Sequence, residues 1–255
     1  LDDPLSAFHE AVGRFGKLQT VGISARTWGK TAIQLMEAAG GARLADVSDM
    51  LGRLRRIKEP VELEAMRTAS HICDAVMADV TPLVKEGAME VAIAAEVDRL
   101  MQTHGGRTPS FDTGVWAMGP GSARDASKRT SIDPLPSAVG VSFDFGTVVD
   151  GYCSDFGRTI HIGEPDDRYV DAYNTVIAAQ EMGRTLATPG TLATDVHSAV
   201  VEVISNAGYG EWFRHRTGHC IGLDTHEKPF ISEEDQTVLE AGMTFTIEPS
   251  IFWPG

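Results

Sequence analysis

At 255 residues and 27.4 kDa, with 42% apolar residues, the chain can form one large domain, or a domain plus a piece of another, with a sizeable core. A formal charge of −14 and a pI near 4.9 exclude a phosphate-binding face of clustered Lys and Arg, so nucleic acid is not an expected partner. No apolar run reaches the roughly 18 residues of a membrane span, and Cys73, Cys153 and Cys220 are odd in number and far apart, which excludes a disulfide framework and fits a reducing cytoplasm.

The opening segment reads as a small α/β piece. "KLQTVGIS" is strand-like, Thr27 to Ala39 is helical, Gly40-Gly41 stops that helix, and "ARLADV" is a second short strand. The one basic run, Arg53 to Lys58, is a solvated helix end or linker. A long helix then starts near Pro60, carries Leu63, Met66, Cys73, Val76, Met77 and Val80 as its apolar stripe, and ends at Pro82. A second helix follows Gly87, with Ile93, Val97, Leu100 and Met101 on one face. Strands are predicted in "SFDTGVWAM", from Val139 to Gly146 and from Gly151 to Ile162. Helices follow from about Asp166 to Ala187, with Tyr169, Tyr173, Val176 and Ile177 on one face, and from about Thr194 to Ala207. Strands return around "HRTGHCIGL" and in "MTFTIEPSIF". The order helix, helix, strands thus occurs twice, which predicts an α+β fold.

Asp150-Gly151 is a strong two-residue hairpin signal, since both turn positions favour positive φ. With that turn, Asp144 falls opposite Gly157 and Asp155 opposite Gly146. Both carboxylates then project from one face as diagonal neighbours, roughly 7–8 Å apart, with the facing glycines leaving space between them. Val141, Phe143 and Phe145 pack on the other face. Two such acids either face water or share a cation that removes their repulsion. The hairpin alone allows both.

"HRTGHCIGLDTHEKP" holds His215, His219 and His226 within twelve residues. Gly218 and Gly222 argue against a helix there, and on a strand His215 and His219 share a face. In "MTFTIEPS", Met243, Phe245 and Ile247 alternate with Thr244, Thr246 and Glu248, which puts Glu248 at the polar end of a buried run.

The order Asp144, Asp155, "GHCIGLDTHE", "TIEP" resembles the pita-bread metallopeptidase family, in its creatinase, aminopeptidase P and prolidase branch. "LRRIKEPVELEAMRTA" is similar to the start of that branch's catalytic domain, and the resemblance covers about residues 50 to 255. It implies a pseudo-two-fold pita-bread fold at 57–255, C-terminally incomplete, preceded at 1–56 by the tail of a small α/β domain. It implies Asp144, Asp155, His219 and Glu248 as ligands of two divalent ions (Mn, Zn, Co or Fe), with Asp155 bridging. The family's fifth ligand is a glutamate beyond residue 255, and residues are expected to be missing at both ends. His226 would hydrogen-bond the substrate or intermediate, His215 would line the pocket, and Glu248 would double as general base.

The resemblance further implies a cytoplasmic homodimer, with no membrane partner, that cleaves an amide bond in a small peptide of the Xaa-Pro type. Three departures stand out: Cys220 where the family usually has Gly, "EPS" for "EPG", and no histidine near Ala126 or Ser127, where peptidase members carry one. The last departure supports an alternative, a C–N hydrolase or lyase acting on a small non-peptide substrate. A second alternative is an inactive interaction module.

Overall fold

A computed structural model describes residues 4–118 and 130–252. The chain divides into two compact units, Leu1–Arg55 and Arg56–Gly255. In the first, α1 (Pro4–Gly13) precedes β1 (Thr20–Ile23), α2 (Gly29–Ala38), β2 (Arg43–Asp46) and α3 (Ser48–Arg56), the last running up to the boundary. β1 and β2 pair in parallel, Thr20 opposite Arg43 and Ile23 opposite Asp46. Parallel neighbours need a crossover, and α2 supplies it.

The second unit opens with α4 (Pro60–Val80). Its start is a capping box: the Glu62 carboxylate accepts from the Glu59 N–H at 2.6 Å, the Glu59 side chain accepts in turn from the backbone N–H of Glu62, and Pro60 fills the first turn. Ala65, Met66, Ala69, Ile72, Cys73, Val76 and Val80 are its buried stripe, and a 3-10 turn through Pro82 ends it. α5 (Glu90–Thr103) buries Ile93, Val97, Leu100 and Met101. Glu90 is buried too, but its two carboxylate oxygens accept the N–H groups of Ala117 and Ser131, each at 2.8 Å, so the charge is hydrogen-bonded and the helix start is tied to the sheet.

That sheet is antiparallel, in the order β3 (Gly114–Met118), β4 (Val139–Phe145), β7 (Phe156–Ile162). β5 (Val148–Val149) and β6 (Tyr152–Cys153) form the tip of the β4–β7 hairpin, with Asp150 at φ 50° and Gly151 at φ 89° in the turn. Val141, Phe143 and Phe145 pack with the α4 and α5 stripes into one core. Phe145 is fully buried and its ring lies 5.2 Å from that of Phe156. Phe145→Ala is expected to destabilise the second unit by about 3–5 kcal/mol, read as a lower urea midpoint with the slope kept.

The helix pair and strands recur: α6 (Asp167–Leu186), α7 (Ala193–Asn206), then β8 (Gly218–Cys220) and β9 (Glu227–Ile231), antiparallel with a bulge at His219/Cys220. Tyr169, Tyr173, Val176 and Ile177 share the face of α6 that lines the cleft, and that face is not the buried one: Thr175, Ala179 and Gly183 are buried, while Tyr173 and Ile177 are 44% and 48% exposed. The cause is close packing through small residues. A Cβ on Gly183 would stand 2.8 Å from Val200 and 2.9 Å from Ile247, so only the small stripe can meet α7, and the large one turns outward.

One expectation needs correction: "MTFTIEPSIF" is not a regular strand. Residues 244–248 run along β8 through Ile221 N–H to Thr244 O, Thr246 N–H to His219 O and Glu248 N–H to Thr217 O, with a single bridge at Cys220–Phe245. Its alternation nonetheless holds, since Met243, Phe245 and Ile247 pack into the core under α7. Among the described residues, no helix is long and apolar enough to cross a membrane.

Candidate metal centre

The hairpin register follows from its turn. Val149 faces Tyr152, Asp144 faces Gly157 and Phe145 faces Phe156. Between the two ladders the regular pairing lapses, but Thr147 and Ser154 still meet: the Ser154 N–H donates to Thr147 O at 2.9 Å and the Thr147 N–H to Ser154 Oγ at 3.0 Å. Cys73 Sγ touches Ser154 Oγ at 3.2 Å from beneath, and the Ser110 hydroxyl donates to Ser154 O at 2.8 Å. Asp155 therefore follows a residue pinned on three sides. The space expected at Gly146 is not there: a Cβ on it would overlap Ser154 O and Ser110 Oγ, so this glycine admits backbone, not a ligand.

β8 brings His219 to the same place. Gly218 is required beside it, because a Cβ there would overlap Thr246 O in the adjoining segment. His219 is 2% exposed, and its Nδ1 lies 3.0 Å from Cys220 O, which makes Nδ1 the donor and turns Nε2 toward the cleft. Nε2 stands 3.3 Å from Asp155 Oδ2 and 3.1 Å from Glu248 Oε1. The Thr246 hydroxyl fixes the third member by donating to Glu248 Oε1 at 2.9 Å, and it also accepts the His219 N–H at 3.1 Å. Sequence reasoning passed over Thr246, although its place two residues before Glu248 on the polar face pointed to it.

Donor atoms of Asp155, His219 and Glu248 all lie within 4.8 Å of one another. Asp144 reaches the same cleft from β4 but stands outside this group of three, as a diagonal neighbour should. His215 and His226 line the cleft as well. The His226 ring is 4.2 Å from that of His219. His215 is held between Phe213 and Phe252, with Nδ1 2.6 Å from Arg216 O and Nε2 buried without a hydrogen-bond partner. The region around Ala126 and Ser127 lies outside the described residues.

The electrostatics fit a cation. Burial works against a charged His219, yet its hydrogen bonds to Asp155 and Glu248 outweigh that, and its pKa is pushed up to about 9. Burial would raise Glu248, but His219 and the Thr246 hydroxyl hold it below the usual carboxylate range. Burial pushes His215 down, and burial together with the neighbouring His219 pushes His226 down. Two carboxylates that draw positive charge onto one imidazole nitrogen form a pocket that a divalent ion satisfies equally well. One nitrogen and several oxygens suit Mn, Zn, Co or Fe.

The cleft around this centre measures about 2150 Å³. Its walls include Phe111, Trp116, Tyr169, Tyr173 and Phe230, and thus the large residues that α6 turns outward.

Comparison with known proteins gives a consistent result. The profile of metallopeptidase family M24 matches residues 64–255. The Xaa-Pro dipeptidase of Pyrococcus furiosus is 36% identical over 241 residues, which is 92% of this chain and 67% of that protein. That of Lactobacillus helveticus is 37% identical over 211 residues, 82% of this chain and 57% of that protein. The crystal structure of the X-Pro aminopeptidase from Thermotoga maritima superposes with a TM-score of 0.88 at 28% identity, over 99% of this chain and 71% of that one. The chain spans 57–67% of the length of the first curated relatives it matches.

Proposed function

The chain belongs to metallopeptidase family M24, and from that premise we propose that it is a metal-dependent hydrolase that cleaves the amide bond of Xaa-Pro dipeptides. The observation that carries this reading is the convergence of Asp155, His219 and Glu248, 93 residues apart at the extremes (248 − 155), on one point of an open cleft. The names of the relatives supply the substrate class.

Asp155, His219 and Glu248 would hold one ion. Asp144, diagonal to Asp155 on the same hairpin, would help to hold a second. A bound divalent ion supplies Lewis acidity, worth several kcal/mol at a carbonyl oxygen, and brings the pKa of water from 15.7 to about 7. The protein supplies the rest. Glu248, partly exposed and oriented by Thr246, takes the proton of the attacking water at a carboxylate oxygen. His226, beside His219, donates a hydrogen bond to the oxygen that gains charge. His215, with its Nδ1 committed to Arg216 O, would line the pocket beside the substrate. The aromatic walls exclude water from an apolar side chain and the proline ring. On this reading the enzyme is a cytoplasmic homodimer.

The test is a panel of Xaa-Pro dipeptides assayed with Mn, Zn, Co or Fe restored after chelation. Turnover that disappears with chelator and returns with metal is the expected result. Metal binding without turnover of any dipeptide would favour the non-peptide alternative, which the lack of a histidine at Ala126 and Ser127 supports.

A further inference from the structure

Ser110 stands in the connection between α5 and β3, and both arms of the hairpin and the loop before His226 meet on it. The stretch leading to it runs beside one arm of the hairpin. The Arg107 N–H donates to Val148 O at 2.9 Å, the Val148 N–H to Thr108 O at 3.0 Å, and Pro109 bridges Thr147. The run ends where the Ser110 N–H donates to Gly146 O at 2.9 Å. The Ser110 hydroxyl then spans the break between the two ladders and donates to Ser154 O at 2.8 Å. Gly146 leaves the room for it, since a Cβ there would overlap the hydroxyl. From the other side, the Thr225 hydroxyl donates to Ser110 O at 3.1 Å.

Ser154 immediately precedes Asp155, and Thr225 immediately precedes His226. Those two groups flank His219: Asp155 Oδ2 is 3.3 Å from its Nε2, and the His226 ring is 4.2 Å from its ring. A peptide unit is planar, so a donor that anchors Ser154 O also fixes the Cα from which the Asp155 side chain departs. The Cys153 N–H joins the same hairpin and loop by donating to Gly222 O at 2.8 Å, but it does so two residues before Asp155 and four before His226. Ser110 is the nearer tie to both. We propose that Ser110 is a positioning residue that holds the Asp155 carboxylate and the His226 imidazole in one geometry, the first for the metal and the second for the oxygen that gains charge. The proposal deepens the Xaa-Pro reading above and rests on it for the role of His226.

Ser110→Ala keeps the backbone bonds and loses the hydroxyl. Calorimetric titration of the metal-free chain with Mn should show this variant binding about 10–100-fold more weakly than the native protein, the usual effect of a partner behind a metal ligand. Ser110→Thr restores a hydroxyl and should recover most of the loss. A residue that served the fold alone would lower the stoichiometry of the titration and leave the affinity of the folded molecules unchanged. Thr225→Val should keep the native Mn affinity and lower kcat for alanyl-proline about 10-fold with KM unchanged, because a group that meets only the developing charge acts on kcat. Thr225→Ser keeps the hydroxyl and should match the native protein. Native Mn affinity in Ser110→Ala, or a kcat that Thr225→Val does not move, overturns the proposal. Should Ser110→Ala not fold, Ser110→Cys, with a weaker donor on the same frame, takes its place with the same expectation. Mn binding by the native chain without dipeptide turnover overturns the Xaa-Pro reading instead, and the Mn affinity of Ser110→Ala then keeps or overturns the role of Ser110 by itself.

Discussion

Asp155→Asn is expected to lower divalent-metal affinity by at least about 100-fold, since even residues behind a ligand are worth 10–100-fold. Turnover of any Xaa-Pro substrate should fall with it by 10³-fold or more, on the order of 4 kcal/mol in transition-state stabilisation. Asparagine keeps the shape and one oxygen but loses the charge that, with Glu248, draws positive charge to His219 Nε2. Metal content after dialysis against a defined free-ion concentration reads the first effect, and steady-state kinetics reads the second. Full metal occupancy in the variant would dismantle the centre as described. Ser154, which carries most of the local packing, is untouched, so the hairpin should stay folded and near-ultraviolet dichroism should match the native protein.

The second large effect concerns Lys58 and Glu227, which form a buried ion pair at 3.0 Å, with side chains 1% and 8% exposed. The Lys58 stem crosses Gly222, where a Cβ would meet Cε at 2.8 Å, and its backbone N–H donates to Gly242 O at 2.9 Å. Four residues on, the Glu62 carboxylate takes the hydroxyl of Tyr152 at the hairpin tip. Lys58, just before α4, and Glu62 in its first turn thus grip the segment after His226 and the tip of the hairpin that bears Asp155.

Removing Lys58 takes the counter-charge from a buried carboxylate that keeps only its other contacts, such as the Asp224 N–H at 3.2 Å, so Lys58→Met should cost about 3–5 kcal/mol. The double variant Lys58→Met/Glu227→Leu should recover part of that loss, because it removes the buried charge together with its counter-charge. Urea unfolding of the single and double variants measures both. Equal stability of Lys58→Met and the native chain would show that the pair carries no weight.

How far the sequence alone reaches depends on the range of each interaction. The hairpin was legible because Asp150-Gly151 sets its own register, and the register sets which acids share a face. The polar face of 244–248 was legible because period-two alternation survives even where ladder pairing is incomplete. The buried face of α6 was not legible, because close approach to α7 selects for small volume at Thr175, Ala179 and Gly183 rather than for apolarity. The Lys58–Glu227 pair joins positions 169 apart, and nothing local marks either residue as buried. The hairpin register treats Asp144 and Asp155 alike, and it is the coordinates that group Asp155, rather than Asp144, with His219 and Glu248.

The break between the two ladders of the hairpin has an evolutionary corollary. Because Phe145–Phe156 and Val148–Cys153 obey a single register across it, the arms are matched in length, residue for residue. Homologues are free to vary the identity of the tip, provided its residues tolerate left-handed backbone, as Asp150 and Gly151 do. They are not free to insert or delete one residue in a single arm. That would rotate Asp155 through half a pleat and point it away from the cleft, so indels here should come in balanced pairs, one per arm.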